Sequence, residues 1–127
     1  MKTMQQLAVA VIAGAALGAA TIQILHAQAR PPVYVIAEFD VTDVAGFKSY
    51  GDANGALFQS MGGRYLSRGG AIEAIAGAPP KQRVAIYTFE SMERMRAWRD
   101  SPKYKELSAI RDRSSNFRSF AVEGLPN

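Results

Sequence analysis

Arg68 stands immediately before Gly69-Gly70, and this placement makes it the first candidate for chemistry. A guanidinium presents two parallel N–H donors to a carboxylate or an enolate, and a glycine pair beside it leaves room for a ligand or another backbone to approach. The structural alternative is a strand-edge or intersubunit salt bridge from Arg68 to Glu73 or Glu90. Tyr104 and Arg111 lie two helical turns apart, so on a helix they share a face and can converge on a pocket rim. Their structural alternatives are Tyr104 packed on Trp98 with its hydroxyl bonded locally, and Arg111 paired with Glu106, Asp112 or the sheet. Tyr34, Tyr50 and Tyr87 could line an apolar cavity with a few hydroxyls, although core aromatics give the same pattern. The ligand-binding candidates are therefore Arg68, Tyr104, Arg111, Tyr50, Tyr87 and Trp98, and no catalytic residue is singled out. Asp40 and Asp43 are acids at the end of an extended stretch, where turn and helix-cap roles are the simpler account.

The residues that are missing limit the chemistry further. The chain has one His and no Cys, whereas zinc and iron sites are normally built from several imidazoles or thiolates. His26 falls in the N-terminal segment, so the remainder has no His-based triad, no Cys nucleophile and no His or Cys to ligate haem. Met92 and Met95 fit packing against Trp98 better than metal binding. No metal and no cofactor are expected.

The formal net charge is +4, of which Lys2 carries one. Basic residues gather at Arg94, Arg96, Arg99, Lys103, Lys105, Arg111 and Arg113, interleaved with Glu93, Asp100, Glu106 and Asp112. That alternation reads as a solvated, internally paired helix face. Without a phosphate-binding or base-stacking motif beside it, no nucleic-acid partner is expected.

The first 29 residues read as a signal peptide. Lys2 gives a positive start, Leu7 to Leu25 is an apolar run nearly free of charge, and Ala27-Gln28-Ala29 fits signal peptidase, which would leave Arg30 as the new N-terminus. The competing reading is a retained membrane anchor, since the run approaches the ~20 residues that span a bilayer, and Gly14 and Gly18 form a GxxxG pair. Cleavage is the preferred expectation, with the domain at 30–127 periplasmic or secreted; a membrane partner follows only if the leader stays on.

The elements that must position the candidates follow from the hydrophobic pattern. Val33 to Asp40 reads as a strand with Val35, Ala37 and Phe39 on one face. Asp43 caps a helix over Val44 to Met61, with Val44, Phe47, Leu57, Phe58 and Met61 near one stripe and Tyr50 at its edge; Gly62-Gly63 stops it. Arg64 to Ala76 reads as one long extended segment with a bulge or bend at Gly69-Gly70, followed by a Pro-rich turn and a strand from Arg83 to Phe89 that pairs with it as a hairpin. Ser91 caps a helix carrying Met92, Met95 and Trp98, and Ser101-Pro102 restarts it with Tyr104, Leu107 and Ile110 inward. Phe117 to Glu123 reads as the last strand. The order strand, helix, two strands, broken helix, strand is the α+β, ferredoxin-like βαββαβ plan: a four-stranded antiparallel sheet with helices on one face.

Several strings then coincide in order: Gly62-Gly63-Arg64-Tyr65-Leu66-Ser67-Arg68-Gly69-Gly70, Phe89-Glu90-Ser91-Met92-Glu93, Trp98-Arg99-Asp100-Ser101-Pro102-Lys103-Tyr104 and Val122-Glu123-Gly124. With the opening Tyr34-Val35-Ile36-Ala37, they resemble the DUF1330 family over about Pro32 to Leu125. The resemblance implies a dimeric α+β barrel, two such sheets facing one another across a two-fold axis. A sheet covered by helices on one face and apolar on the other calls for the same homodimer. The family carries no common activity, so three functions stay open. One is an exported homodimeric module binding a small anionic or aromatic molecule. The second is a cofactor-independent enzyme of isomerase or monooxygenase type, with Arg68 stabilising an oxyanion. The third is a membrane-anchored envelope interaction protein.

Overall fold

The computed structural model describes residues 30–126, and the leader expectations for residues 1–29 lie outside them. The element order is β1 (Val33–Val41), α1 (Val44–Ser60), β2 (Arg64–Arg68), β3 (Arg83–Phe89), α2 (Met92–Arg99), α3 (Pro102–Ser114) and β4 (Ser115–Glu123). The sheet runs in the order β2-β3-β1-β4, with every neighbouring pair antiparallel. This is the βαββαβ plan expected from the pattern.

The core follows from alternation along the two central strands. Val33, Val35, Ala37 and Phe39 of β1 sit opposite Phe89, Tyr87, Ala85 and Arg83 of β3, and all but Arg83 are buried under the helices. The other side of the sheet carries Ile36, Val84 and Ile86 together with Phe120 and Val122 of β4. The last two are about half exposed, so this second face carries an apolar patch, beside the Glu38–Arg118 ion pair, that no described helix covers.

The helix ends obey local chemistry. The Asp43 carboxylate accepts from the Gly46 amide at 3.2 Å, Ser91 from the Arg94 amide at 3.3 Å, and Ser101 from the Tyr104 amide at 3.2 Å with Pro102 at the first helical position. Gly62 ends α1 at φ +92°, and the Gly63 amide then donates to the Phe58 carbonyl at 2.8 Å.

The segment after β2 departs from the expectation. No strand continues to Ala76: β2 ends at Arg68, residues 70–82 join no ladder, and Ile75 is almost wholly exposed. Gly69, at φ +66°, turns the chain aside after its amide has donated to the Val84 carbonyl at 2.9 Å. The Arg83 guanidinium fills the space beside Gly69, where a Cβ would stand 2.5 Å from its Nη1. The hairpin is therefore confined to Arg64–Arg68 and β3. Its irregularity lies between Tyr65 and Ser67 rather than at the glycine pair. β4 also starts at Ser115, earlier than the expected Phe117, because it leaves α3 with no intervening turn.

Residues 69–82 are tied back by β1. Glu38 accepts from the Lys81 amide at 3.0 Å and from Arg118 Nη2 of β4 at 2.6 Å, and Asp40 accepts from the Gln82 amide at 3.0 Å. The Arg118 hydrogen bonds, aided by the Lys81 amide, hold the Glu38 carboxyl below its ordinary value of 4.5. A group depressed on folding stabilises above its unfolded pKa, and that contribution disappears as pH falls through the lower folded value. Acid unfolding followed by circular dichroism should therefore lose part of its slope below about pH 4.5 in Glu38→Gln; an unchanged acid limb would refute the clamp.

Candidate functional site

A cavity of about 280 Å³ lies between α1 and the helix-covered side of β1, β2 and β3. Small residues create it. Gly51 of α1 faces it, and a Cβ there would meet only Arg68 Nη2, at 3.6 Å; on the sheet side the wall is Ala85. One turn along α1, Gly55 lets the Tyr65 ring come close, so that an added Cβ would stand 3.1 Å from its hydroxyl. The two glycines that weaken α1 as a helix thus make room for the ring of Tyr65 and for the cavity.

Of the six expected ligand-binding residues, Arg68, Tyr50 and Tyr87 line this cavity. Burial pushes the Tyr50 and Tyr87 phenols well above the ordinary range and raises that of Tyr65, which also lines the cavity. All three are proton donors at neutral pH. Arg68 pairs with neither Glu73 nor Glu90; its Nη2 lies 3.4 Å from Asp52 Oδ1, and its guanidinium covers the Tyr65 ring at 4.8 Å. Asp52 in turn accepts from Lys48 Nζ at 2.8 Å, and that bond is the first cause of its lowered pKa.

Trp98, Tyr104 and Arg111 form a second, adjoining cluster behind the cavity. Tyr104 packs on Trp98 with ring centroids 4.3 Å apart, and its hydroxyl accepts from Arg111 Nη1 at 2.6 Å. Arg111 also bonds Asp112 through Nε at 2.9 Å and lies 4.0 Å over the Phe117 ring. The shared helix face expected for Tyr104 and Arg111 holds, but it serves to pack them together rather than to edge the cavity.

Asn54 joins the two clusters. The Trp98 indole N–H donates to Asn54 Oδ1 at 3.0 Å, and Asn54 Nδ2 donates to the Tyr50 hydroxyl at 3.3 Å. Because an indole is only a donor, the Asn54 oxygen must face it, which turns the amide nitrogen toward Tyr50. Nothing in the sequence marked Asn54, a lone polar residue on a helix stripe. Arg83, Phe47, Lys48, Asp52 and Tyr65 were equally unmarked as lining residues.

Tyr34 is excluded from the cavity: it pairs with Thr88 and Val122 on the opposite side of the sheet. Asp40 and Asp43 do the turn and cap work described above. Among the described residues no cluster of three or more acidic side chains is placed to hold a metal ion.

A four-stranded antiparallel sheet with the described helices all on one face defines the α+β, ferredoxin-like class, and comparison with solved structures agrees. A protein of unknown function from Rhodopseudomonas palustris matches at TM-score 0.63 and 16% identity, over 77% of this chain and 85% of that one. SnoaB, a cofactor-independent oxygenase from Streptomyces nogalater, matches in a mutant form at TM-score 0.57 and 16% identity, over 74% and 93%. A dimeric ferredoxin-like protein of unknown function from Thermobifida fusca matches at TM-score 0.53 and 16% identity, over 75% and 92%. At these identities the likeness is one of fold. The sequence profile of the domain of unknown function DUF1330 matches residues 32–125, and the chain belongs to that family. No curated protein matches it.

Proposed function

We propose that this protein is an exported, homodimeric module whose domain binds one small molecule in the cavity between α1 and the sheet. The cavity itself carries this reading: an aromatic-walled recess with a few hydroxyls and charged groups at its edge is how small-molecule sites are built. Dimerisation is supported by the apolar patch on the second face of the sheet, with Ile36, Val84, Ile86, Phe120 and Val122 awaiting cover, and by the dimeric relative from Thermobifida fusca. Export rests on the leader. Native mass spectrometry of protein recovered from the periplasm should give a dimer of chains beginning at Arg30, together with the mass of any retained ligand. A monomer, or chains still carrying Leu7 to Leu25, would overturn the corresponding part and favour an anchored envelope protein.

A second reading, a cofactor-independent enzyme with Arg68 as oxyanion stabiliser, draws on the convergence of Arg68 with Tyr50, Tyr65 and Tyr87 on one cavity, and on the activity named for SnoaB. Binding is preferred because the lining acids move away from neutrality: Asp52 is held low and the three phenols are pushed high. A general base works best with its pKa near the working pH.

Gly51→Leu tests either reading. The side chain would enter the cavity past Arg68 Nη2, while leaving glycine in a helix interior favours α1 by about 1 kcal/mol. Ligand retention should vanish while the melting temperature holds or rises. A variant that still retains the ligand would move the site elsewhere.

A further inference from the structure

The edge of the cavity has an excess of positive charge. Lys48, Arg68 and Arg83 line it, with Asp52 the carboxylate among the lining residues. Asp52 is shared by Lys48 and Arg68, and no carboxylate pairs with Arg83 among the described residues. The Arg83 guanidinium lies over the Phe47 ring instead, 5.5 Å from its centroid. Two guanidiniums held by aromatic faces at one opening are prearranged for a planar anion, since each fork matches the two oxygens of a carboxylate.

The walls behind them are Phe47, Tyr65 and Tyr87, flat apolar surfaces suited to a ring. Polar groups wait further in. Tyr87 is 4% exposed, and its hydroxyl makes no hydrogen bond to a described residue. The Tyr50 hydroxyl accepts from Asn54, which leaves its own hydrogen to donate. No buried side-chain polar atom lacks a partner among the described residues, so the unbonded Tyr87 oxygen is open to the cavity it lines, where a ligand can reach it. The volume of about 280 Å³, at the foot of the roughly 300–1,000 Å³ of common ligand sites, limits the occupant to one or two rings.

Building on the small-molecule reading, we propose that the ligand is a hydroxylated aryl carboxylate. Its ring lies against Phe47, Tyr65 and Tyr87. Its hydroxyl meets the Tyr50 and Tyr87 phenols. Its carboxylate faces outward between Arg68 and Arg83, taking from Arg68 the contact that Asp52 now makes. Asp52 is then a built-in competitor, a carboxylate that satisfies Arg68 until a ligand replaces it.

The test is calorimetric titration of the mature protein with para-hydroxycinnamate and with its primary amide. The acid should bind at least about tenfold more tightly than the amide, the worth of a charge-assisted hydrogen bond. Arg68→Gln and Arg83→Gln should each weaken the acid about tenfold and leave the amide unchanged. Asp52→Asn should strengthen the acid severalfold and again spare the amide, which no general loss of folding would do. Acid and amide binding equally, with both lost in Gly51→Leu, would overturn the carboxylate assignment and keep the small-molecule reading. Failure of both probes to bind folded protein would also overturn the assignment, and the ligand mass retained in native spectra then decides the broader reading separately.

Discussion

Phe58→Ala should lower the stability of the domain by about 3–5 kcal/mol, the range for removing a large aromatic from a packed interior. Phe58 is completely buried. Its ring stacks on Tyr87 at 4.7 Å, meets Tyr65 edge-on at 4.6 Å and approaches Phe89 at 6.3 Å. These partners come from β2 and β3, so one side chain of α1 fastens the helix to the outer half of the sheet. Against a total of roughly 5–15 kcal/mol for a domain, the loss is a large fraction. It should appear in thermal unfolding, at fixed protein concentration, as a fall of about 4–8 °C for each kcal/mol. A loss below about 1 kcal/mol would mean that the Tyr65, Tyr87 and Phe89 rings collapse into the space.

The second large effect concerns the bridge between the two clusters. Asn54→Leu strands the Trp98 indole N–H in the interior and removes the donor to Tyr50, at about 1–3 kcal/mol for the orphaned buried group. Trp98→Phe alone strands the Asn54 oxygen instead. With both changes made, neither orphan remains, and an apolar pair in place of a satisfied polar one is far better tolerated than half of it. The double variant should therefore be more stable than the sum of the two single losses predicts, by about 0.5–3 kcal/mol in chemical denaturation. Strict additivity would show that the 3.0 Å contact carries no coupling.

These two positions differ in how far the sequence exposes them. Phe58 lies on a visible apolar stripe closed by Gly62-Gly63, and its burial follows from helical periodicity. The same logic placed β1, β3, α2 and α3, where alternation and the Ser-Pro restart speak locally. Asn54 is bonded to a residue 44 positions away, and no local pattern encodes such a contact. The overlong second strand has a similar origin. Ala71 to Ala76 carries the β-branched Ile72 and Ile75 and no proline, but a strand needs a partner, and Gly69 turns the chain away from β3 before one is offered. The candidate site was therefore half legible. Arg68, Tyr50 and Tyr87 were found by residue type, whereas Lys48, Asp52, Tyr65 and Arg83 became lining residues only once α1 was laid across β2 and β3.

The irregular step between Tyr65 and Ser67 has an evolutionary corollary. Tyr65 opposes Tyr87 and Arg68 opposes Ala85, with Ser67 opposite Ile86 between them, so Leu66 is the surplus residue. A relative lacking it would keep both the aromatic ring and the guanidinium pointing inward, and a one-position gap there in an alignment would mark a straightened strand rather than a lost site. One further insertion would do the opposite, sending the charge of Arg68 through to the apolar side of the sheet. The two length changes are thus unequal: losing the surplus residue only straightens the ladder and keeps the anion's partner in place, whereas gaining one leaves a cation stranded in the seam.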